Sequence, residues 1–302
     1  MLVTLGKIYQ KISPLFGWID RLALLKSARP NKYIFILAPP RGGSTITYQV
    51  LATALDCVYF SNLTNVLYAS PFFGASIMNK HEKNDSSFSS NMGFVQGLYG
   101  EAEGLTYWEY WANMSIRENE KPNKKGLKML FDRLDRVNTG GKPFLFCYLP
   151  HLLYQKEIVE ILGDRALFIN LRRDTLSNAH SLYKASPNRI MSVQTVNTQI
   201  KQHKSVYEGI IHQLDELARR MRLTGKYSID LSYENLCENT NIEITRIVTE
   251  LEKRGLTVKS TLDNIPAQFR YKKINIDDSQ HAKELFSAIE KLNKINLEYV
   301  DK

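Results

Sequence analysis

A short loop that combines glycines, hydroxyl groups and an arginine has the composition of an anion-binding site. It reads PPRGGST, from Pro39 to Thr45, and directly follows the apolar run Tyr33 to Leu37. A turn that leaves a buried strand and enters a helix directs several backbone N–H groups and the positive helix end toward one place. Glycine permits close backbone approach, and arginine adds a charged fork. The residues predicted to bind a phosphate are Arg41, Gly42, Gly43, Ser44 and Thr45.

The 39–45 loop differs from the phosphate loop of nucleoside-triphosphate enzymes, whose pattern is GxxxxGK[ST]. Ala38 stands at the position of the first glycine, and Ser44 stands where the lysine belongs. A later apolar run does reach an aspartate, Asp174, but only after two arginines. A P-loop nucleotide kinase is therefore the second interpretation, and no metal site is expected.

A second pair of candidate ligands lies where another predicted strand ends. The run ALFINL, from Ala166 to Leu171, precedes Arg172 and Arg173, and Ser181 follows in a segment expected to be helical. Ligands of α/β proteins bind at the carboxyl ends of the strands, so Arg173 and Ser181 can reach the same crevice as the 39–45 loop. Adjacent residues of a strand point to opposite sides. We assign Arg173 to the crevice and expect Arg172 to form a structural ion pair.

In this order, the segments resemble those of sulfotransferases that use 3′-phosphoadenosine 5′-phosphosulfate (PAPS). In that family a loop similar to PxRSGTT or PKSGTT binds the 5′-phosphosulfate; here Pro40 to Thr45 match it, with Gly42 in place of the usual serine. The family holds the 3′-phosphate with an arginine at a strand end and a serine eight positions later, which is the interval between Arg173 and Ser181. Tyr233, in the segment SYENL, matches a tyrosine that lies near the nucleotide.

The resemblance covers about residues 33 to 255 and implies both a fold and an activity. The implied fold is an α/β, P-loop-like sulfotransferase fold, with a central, mainly parallel sheet flanked by helices. The implied reaction moves the sulfuryl group of PAPS in line to an acceptor hydroxyl and leaves adenosine 3′,5′-bisphosphate. It uses a general base, requires no metal, and has Arg41 as positive charge near the leaving phosphate. Family analogy points to a carbohydrate or glycolipid acceptor.

Glu103 and His151 are the candidates for the general base. Glu103 lies in the aromatic segment Gly97 to Met114, which resembles a part of bacterial sulfotransferases where a glutamate precedes aromatic residues. Nearby rings can raise the pKa of a carboxyl toward neutrality, as a general base requires. His151 follows a predicted strand, and cytosolic relatives use a histidine near a comparable strand end. Glu103 is the first choice for the base, with Glu101 and His151 as alternatives. The segment Gly97 to Met114 also has a purely structural interpretation, as an amphipathic helix with aromatic residues in the core and solvated glutamates.

The chain is basic as a whole, with 40 lysines and arginines against 31 aspartates and glutamates in 302 residues and a formal net charge of +9. This favours an anionic partner without choosing among nucleotide, nucleic acid, membrane and acidic glycan. The run QFRYKK contains Arg270 and resembles a basic segment that contacts the 3′-phosphate in some relatives; the other interpretation is a solvated run. A noncatalytic protein that binds nucleic acid or membranes is the third interpretation. Under the sulfotransferase interpretation, no nucleic-acid partner is expected.

Buried strands and long helices are needed to position these residues. Apolar runs at 33–37, 142–149 and 166–171 predict strands of a parallel sheet, and the intervening helices predict right-handed crossovers. A helix is expected to start at Ser44 or Thr45, capped by either hydroxyl. Further helices are expected at about 152–162, 200–222 and 279–299, the last capped by Asp277 or Asp278.

The chain is expected to form a single sulfotransferase domain over residues 1–302, with a helical extension at 1–30 and exposed loops at 79–91 and 117–128. Its three cysteines are too far apart in sequence to suggest a zinc site or a disulfide framework, which favours a reducing compartment. Charged residues interrupt the apolar N-terminus before it reaches the length of a membrane span. We expect a cytoplasmic protein. A weakly amphipathic stretch from Ile12 to Lys26 either packs on its own domain or contacts the inner membrane as a peripheral element.

Overall fold

The sheet has five parallel strands in the described part of the chain, in the order β2-β3-β1-β4-β5. The computed structural model describes residues 17–81, 88–90, 93–114, 121–185, 205–256 and 258–300. The strands are Tyr33–Leu37 (β1), Val58–Tyr59 (β2), Phe144–Cys147 (β3), Ala166–Arg172 (β4) and Ser228–Ser232 (β5).

Helices connect and cover the strands. The α-helices are Ser44–Ala54 (α1), Asn62–Val66 (α2), Pro71–Lys80 (α3), Leu105–Ala112 (α4), Lys124–Leu134 (α5), Gln155–Leu162 (α6), Thr175–Ala185 (α7), Val206–Met221 (α8), Tyr233–Glu238 (α9), Thr240–Lys253 (α10) and Gln280–Val300 (α11). Shorter 3-10 segments are Ile19–Leu25, Leu149–Leu152, Gly163–Arg165, Arg222–Tyr227 and Ile276–Asp278.

The predicted α/β fold with a parallel sheet is confirmed, and β1 is its central strand. All five residues of β1 are buried, because β3 and β4 pair with its two edges and side chains cover both of its faces. Tyr33 lies opposite Phe144 on one side and Ala166 on the other. Strands buried on both faces have continuous apolar sequences, which is why the three central strands are recognisable from the sequence.

Two apolar clusters hold the sheet and the helices together. The larger cluster surrounds the sheet and contains stacked or edge-on rings such as Tyr33, Phe144 and Phe146. The second cluster lies between α7, α8 and α11, and Leu182 and Ile211 are among its buried members. Helix α7, which follows β4, is therefore held in place by a small helical core of its own.

The described part of the N-terminal segment packs on its own domain. It forms a 3-10 turn over Ile19–Leu25 instead of the α-helix expected there, and residues 12–16 lie outside the described residues. Asp20 is buried and accepts the backbone N–H groups of Phe72 and Phe73, at 3.1 and 3.2 Å, at the start of α3. Arg133 of α5 donates to the Asp20 carbonyl at 2.6 Å.

Several element boundaries differ from the sequence predictions. Helix α3 extends to Lys80 and α5 begins at Lys124, so both expected loops are partly helical. The helix expected at 152–162 begins at Gln155, because a 3-10 turn precedes it. Ser279, not Asp277 or Asp278, caps α11: its hydroxyl accepts the Ala282 N–H at 3.1 Å. Residues 200–204 lie outside the described chain, and α8 covers Val206–Met221 of the expected 200–222 helix.

Among the described residues, none of the helices combines the length and the hydropathy needed to cross a bilayer.

Candidate functional site

A cavity of about 510 Å³ lies at the carboxyl ends of β1, β3, β4 and β5. It brings together most of the residues that the sequence selects, although they come from distant parts of the chain. The selected residues that line it are Arg41, Gly43, Ser44, Thr45, Glu103, Arg173, Ser181 and Tyr233.

The 39–45 loop forms a tight turn that leads directly into α1. The Gly42 N–H donates to the Pro39 carbonyl at 3.0 Å, and the Thr47 N–H donates to the Gly43 carbonyl at 3.1 Å. Helix α1 begins at Ser44, as predicted, but the residue at its N-cap is Gly43 and no side chain caps it. The capping role expected of Ser44 or Thr45 is therefore wrong, because both lie inside the first turn. The first N–H groups of a helix lack partners within it, so they are available to an anion.

Both glycines of the loop are required by close packing. A Cβ atom on Gly42 would lie 2.8 Å from the Pro39 carbonyl oxygen. A Cβ atom on Gly43 would lie 2.2 Å from the ring of Tyr233, and the backbone of Gly43 is in the left-handed region, at φ +96°. The ring of Tyr233 thus packs directly against the backbone of the anion-binding turn.

The two predicted anion sites meet through hydrogen bonds. Arg173 Nη1 donates to the Arg41 carbonyl at 2.7 Å, and Arg41 Nε donates to Ser181 Oγ at 3.3 Å. The Arg173 guanidinium also lies over the Tyr233 ring, 4.9 Å from its centroid. Its Nε is buried and has no partner among the described residues, so one N–H of the fork is unsatisfied. Arg172 pairs with Asp230 at 3.0 Å, which confirms the predicted ion pair.

The loop after β4 is held by carboxylates that serve the backbone. Asp174 caps α7 by accepting the Ser177 N–H at 2.8 Å. Glu234 accepts the Asp174 N–H at 2.9 Å and the Ser232 hydroxyl at 3.2 Å. These contacts fix the segment that carries Arg173. Within the described part of the chain, no three His, Cys, Asp or Glu residues are grouped so that they could hold a metal ion.

Glu103 is the candidate base that the fold places in the cavity. It precedes Gly104, which has φ +72° and occupies the N-cap of α4. Solvent reaches Glu103, yet the protein atoms around the cavity replace much of the bulk water, and this burial raises the pKa of its carboxyl above the ordinary value. The thiol of Cys147 also lines the cavity. Burial is the main cause of its raised pKa, and the charge of Glu103 raises this pKa further.

His151 and Glu101 do not line this cavity. His151 is fully buried in the 3-10 turn after β3, and its ring meets those of Trp108 and Phe35 edge-on, with centroids 4.4 and 5.0 Å away. Burial lowers the pKa of His151 to about 3, and neither ring nitrogen has a hydrogen-bond partner among the described residues. Glu101 is buried where its backbone bridges to Ser61. Of the three candidates for the base, only Glu103 lines the cavity.

Arg270 is exposed and does not line the cavity either. The segment that carries it does pass beside the site, because Tyr271 lies edge-on to Tyr233, with ring centroids 6.1 Å apart. The hydroxyl of Tyr271 donates to Glu238. Farther along, the Ile274 N–H donates to Ser177 of α7 at 3.0 Å. The basic run is thus tied to both α9 and α7.

The cavity also has lining residues that the sequence did not select. They include Ser90, Gly93, Leu105, Cys147, Tyr148, Leu149 and Pro150. The last four follow from the topology, since they lie at the carboxyl end of the strand predicted at 142–149. Ser90 and Gly93 had no usable signal, because they lie in or beside a polar segment that favours an exposed loop.

A comparison with protein families decides where the chain belongs. The profile described as "Sulfotransferase family" matches residues 33–254, well over half of the chain. The chain belongs to this sulfotransferase family. Its matched range includes all the predicted anion-binding residues except Arg270.

A solved sulfotransferase shares the fold of this family member. The structure of sulfotransferase STF1 from Mycobacterium tuberculosis H37Rv has a TM-score of 0.50 at 11% identity, covering 93% of this chain and 77% of that one. Sulfotransferase STF9 from Mycobacterium avium has a TM-score of 0.48 at 14% identity, covering 92% and 78%. No curated protein matches the chain.

Proposed function

We propose that this sulfotransferase transfers the sulfuryl group of PAPS to an acceptor hydroxyl. The observation that carries the proposal is the shared cavity: the 39–45 loop, the Arg173 and Ser181 pair, and Glu103 all line it. A donor with a phosphosulfate at one end and a 3′-phosphate at the other needs two cationic groups within the length of one nucleotide. Arg41 and Arg173 support this requirement, because both line the cavity and the Arg173 guanidinium donates to the Arg41 backbone carbonyl.

In the proposed complex, the 5′-phosphosulfate lies at the 39–45 loop. The first N–H groups of α1, the hydroxyls of Ser44 and Thr45 and the guanidinium of Arg41 would hold it. Arg173 and Ser181 would hold the 3′-phosphate, with Tyr233 keeping the guanidinium of Arg173 in place. Arg270 would join the 3′-phosphate only if its segment moves inward.

The proposed reaction is an in-line displacement at sulfur. Glu103 accepts the proton of the acceptor hydroxyl, whose oxygen forms a bond to sulfur while the bond from sulfur to the bridging phosphate oxygen breaks. The products are the sulfate ester and adenosine 3′,5′-bisphosphate. Arg41 and the helix N–H groups stabilise the charge that develops on the leaving phosphate. The raised pKa of Glu103 makes it a stronger base than an ordinary carboxylate.

A carbohydrate or glycolipid acceptor is a prediction from the family resemblance. A cytoplasmic location and a peripheral contact with the inner membrane are predictions from the N-terminal sequence and the cysteines.

Calorimetry with adenosine 3′,5′-bisphosphate in the presence of a chelator tests the donor site. We expect Arg173→Ala to raise the dissociation constant at least tenfold, because loss of one charge-paired contact costs roughly 2 to 5 kcal/mol. The adjacent arginine gives a matched control: Arg172→Ala removes the same charge from an exposed pair with Asp230 and should leave the affinity within twofold.

Two outcomes would contradict the proposal. If folded Arg173→Ala binds the bisphosphate as tightly as the parent protein, Arg173 does not belong to the site. If the parent protein binds ATP with magnesium but not the bisphosphate, the nucleotide-kinase interpretation replaces the sulfotransferase reaction.

A further inference from the structure

The cavity has two unlike walls, which lie on opposite sides of β1. On the side of β4 and β5, its lining is polar and cationic, with Arg173, Ser181 and Tyr233. On the side of β3, its lining consists of Cys147 to Pro150 at the end of that strand and of Glu103 and Leu105 at the start of α4. The first wall belongs to the nucleotide in the function proposed above, so the second faces the acceptor.

The acceptor wall offers few side chains for hydrogen bonding. Among the described residues of this wall, only Glu103 has an accessible polar side chain. Tyr148 is only 2% exposed, and its hydroxyl donates to the Met114 carbonyl at 3.1 Å. The Cys147 thiol is hydrogen-bonded to Ser44. The rest of this wall is formed by Leu105, Leu149 and Pro150.

The 93–105 segment, which contributes Gly93, Glu103 and Leu105 to the cavity lining, also carries exposed apolar side chains. Leu105 lines the cavity and is 48% exposed. Phe94 follows the lining residue Gly93 and is 78% exposed, and Leu98 is 53% exposed. Exposed apolar side chains that line a pocket commonly mark a binding surface.

We infer that the acceptor is an alcohol whose hydroxyl is attached to a hydrocarbon or similarly apolar body. A free sugar has a hydroxyl on nearly every carbon, and each one buried without a partner is destabilising. This wall can pair a single reacting hydroxyl with Glu103 and pack an apolar chain against Leu105, Leu149 and Pro150. The inference rests on the proposed function and narrows its acceptor from carbohydrates in general to amphiphilic or lipid-like alcohols.

Two alcohols of equal length test the inference. 1-Octanol and diethylene glycol monoethyl ether both have nine non-hydrogen atoms and one terminal hydroxyl, and differ by two ether oxygens. With saturating PAPS, we expect kcat/KM for 1-octanol to exceed that of the ether at least tenfold. From 1-butanol to 1-octanol it should rise by up to about fourfold per methylene that becomes buried. Methyl glucoside should be a poorer acceptor than either alkanol.

Substitution of a wall residue tests whether this wall is responsible for the preference for 1-octanol. Leu105→Asn should lower kcat/KM for 1-octanol at least fivefold and change that of 1-butanol less than twofold, because Leu105 lines the cavity. Ile242→Asn is the matched control, because Ile242 is 67% exposed on α10 and does not line the cavity. It should leave both values unchanged.

The failure of this inference is distinguishable from the failure of the proposed function. If adenosine 3′,5′-bisphosphate binds in calorimetry but methyl glucoside or the ether outperforms 1-octanol, or no alkanol is sulfated, the apolar acceptor is wrong and the donor site stands. An equal response of Ile242→Asn and Leu105→Asn would also overturn it. If the bisphosphate does not bind, the proposed function itself fails.

Discussion

Gly43 is a single residue on which two parts of the proposed donor site depend. Its left-handed backbone completes the 39–45 turn, and its missing side chain leaves room for the Tyr233 ring. That ring in turn lies under the Arg173 guanidinium. A change at Gly43 therefore affects the positions of both cationic groups.

Gly43→Ala should weaken the binding of adenosine 3′,5′-bisphosphate at least tenfold and lower the free energy of unfolding by about 1 to 3 kcal/mol. The reason is the combination of the positive φ with a 2.2 Å clash against Tyr233. Gly140→Ala is the matched control, since Gly140 has φ +66° and no atom within 4 Å of an added Cβ. Gly140→Ala introduces the unfavourable backbone conformation without the clash. Equal losses in the free energy of unfolding for both variants would therefore show that the clash is unimportant.

Glu103→Gln should lower kcat by about 10² to 10⁴ without changing the affinity for adenosine 3′,5′-bisphosphate. Glutamine has a similar shape but cannot take the acceptor proton. In the parent enzyme, kcat should fall as the pH decreases through the raised pKa of Glu103, because the protonated carboxyl is not a base. The variant should lack this decrease. Glu109→Gln, on the same segment but outside the cavity lining, is the control; full activity of Glu103→Gln would exclude Glu103 as the base.

The sequence indicates which residues line the cavity more directly at the proposed donor site than at the proposed catalytic base, for a physical reason. Arg173 and Ser181 follow from a strand end, a helix and a fixed interval, and alternation along the strand separates Arg173 from Arg172. Nothing local to His151 indicates that its turn folds into an aromatic core instead of facing the cavity. A lone titratable residue carries no information on which face of its segment is buried.

At the scale of elements, helix α3 depends on a residue about fifty positions before it. Asp20 caps its first N–H groups from the N-terminal 3-10 turn, and Arg133 of α5 binds the same turn. The turn therefore holds α3 and α5 in place relative to each other. No sequence pattern near Pro71 indicates a cap of this kind.

Asp20→Ala should lower the free energy of unfolding by about 1 to 2 kcal/mol, the range for loss of a helix cap. Burial raises the pKa of Asp20 to about 6, so part of the gain from its hydrogen bonds offsets desolvation. Urea denaturation at pH 5, below this pKa, measures the effect. Asp277→Ala, at an 86% exposed side chain, serves as control and should change the stability by less than 0.5 kcal/mol. Equal stability of the two variants would contradict the capping role.

The strands were predictable in proportion to their burial. β1, β3 and β4 are covered on both faces, and their continuous apolar runs reveal them. β5 is an edge strand whose sequence SIDLS alternates between polar and apolar residues, and β2 has only two residues. The two edge strands, β2 and β5, are stabilised by pairing with a neighbouring strand. The sequence of one segment carries no information on such pairing.

At the scale of the whole molecule, a buried neutral histidine links stability to pH. The pKa of His151 is about 3 in the folded chain and ordinarily 6.5, so the unfolded chain binds the proton more readily. The contribution of neutral His151 to the free energy of unfolding is complete above about pH 6.5 and is lost as the pH falls toward 3. The expected loss is about 3 to 5 kcal/mol across that range.

Comparison with His151→Leu isolates this effect. Urea denaturation from pH 7.5 to 4 should show a steeper fall in the stability of the parent protein than in that of the variant. Asp20 acts in the opposite direction, because its raised pKa gives stability that is present at low pH and lost as the pH rises through about 6. Asp20 is present in both proteins, so its contribution cancels in the difference. Parallel pH profiles would show that His151 is not the linked group.

Strand β1 lies between the strands that carry the two walls of the cavity. In the proposed complex, the 5′-phosphosulfate loop follows β1 and the ligands of the 3′-phosphate follow β4, whereas the wall toward the acceptor comes from β3 and the segment before α4. Exchanging residues 93–105 for those of another sulfotransferase should therefore change which alcohol is sulfated. The affinity for adenosine 3′,5′-bisphosphate should stay the same.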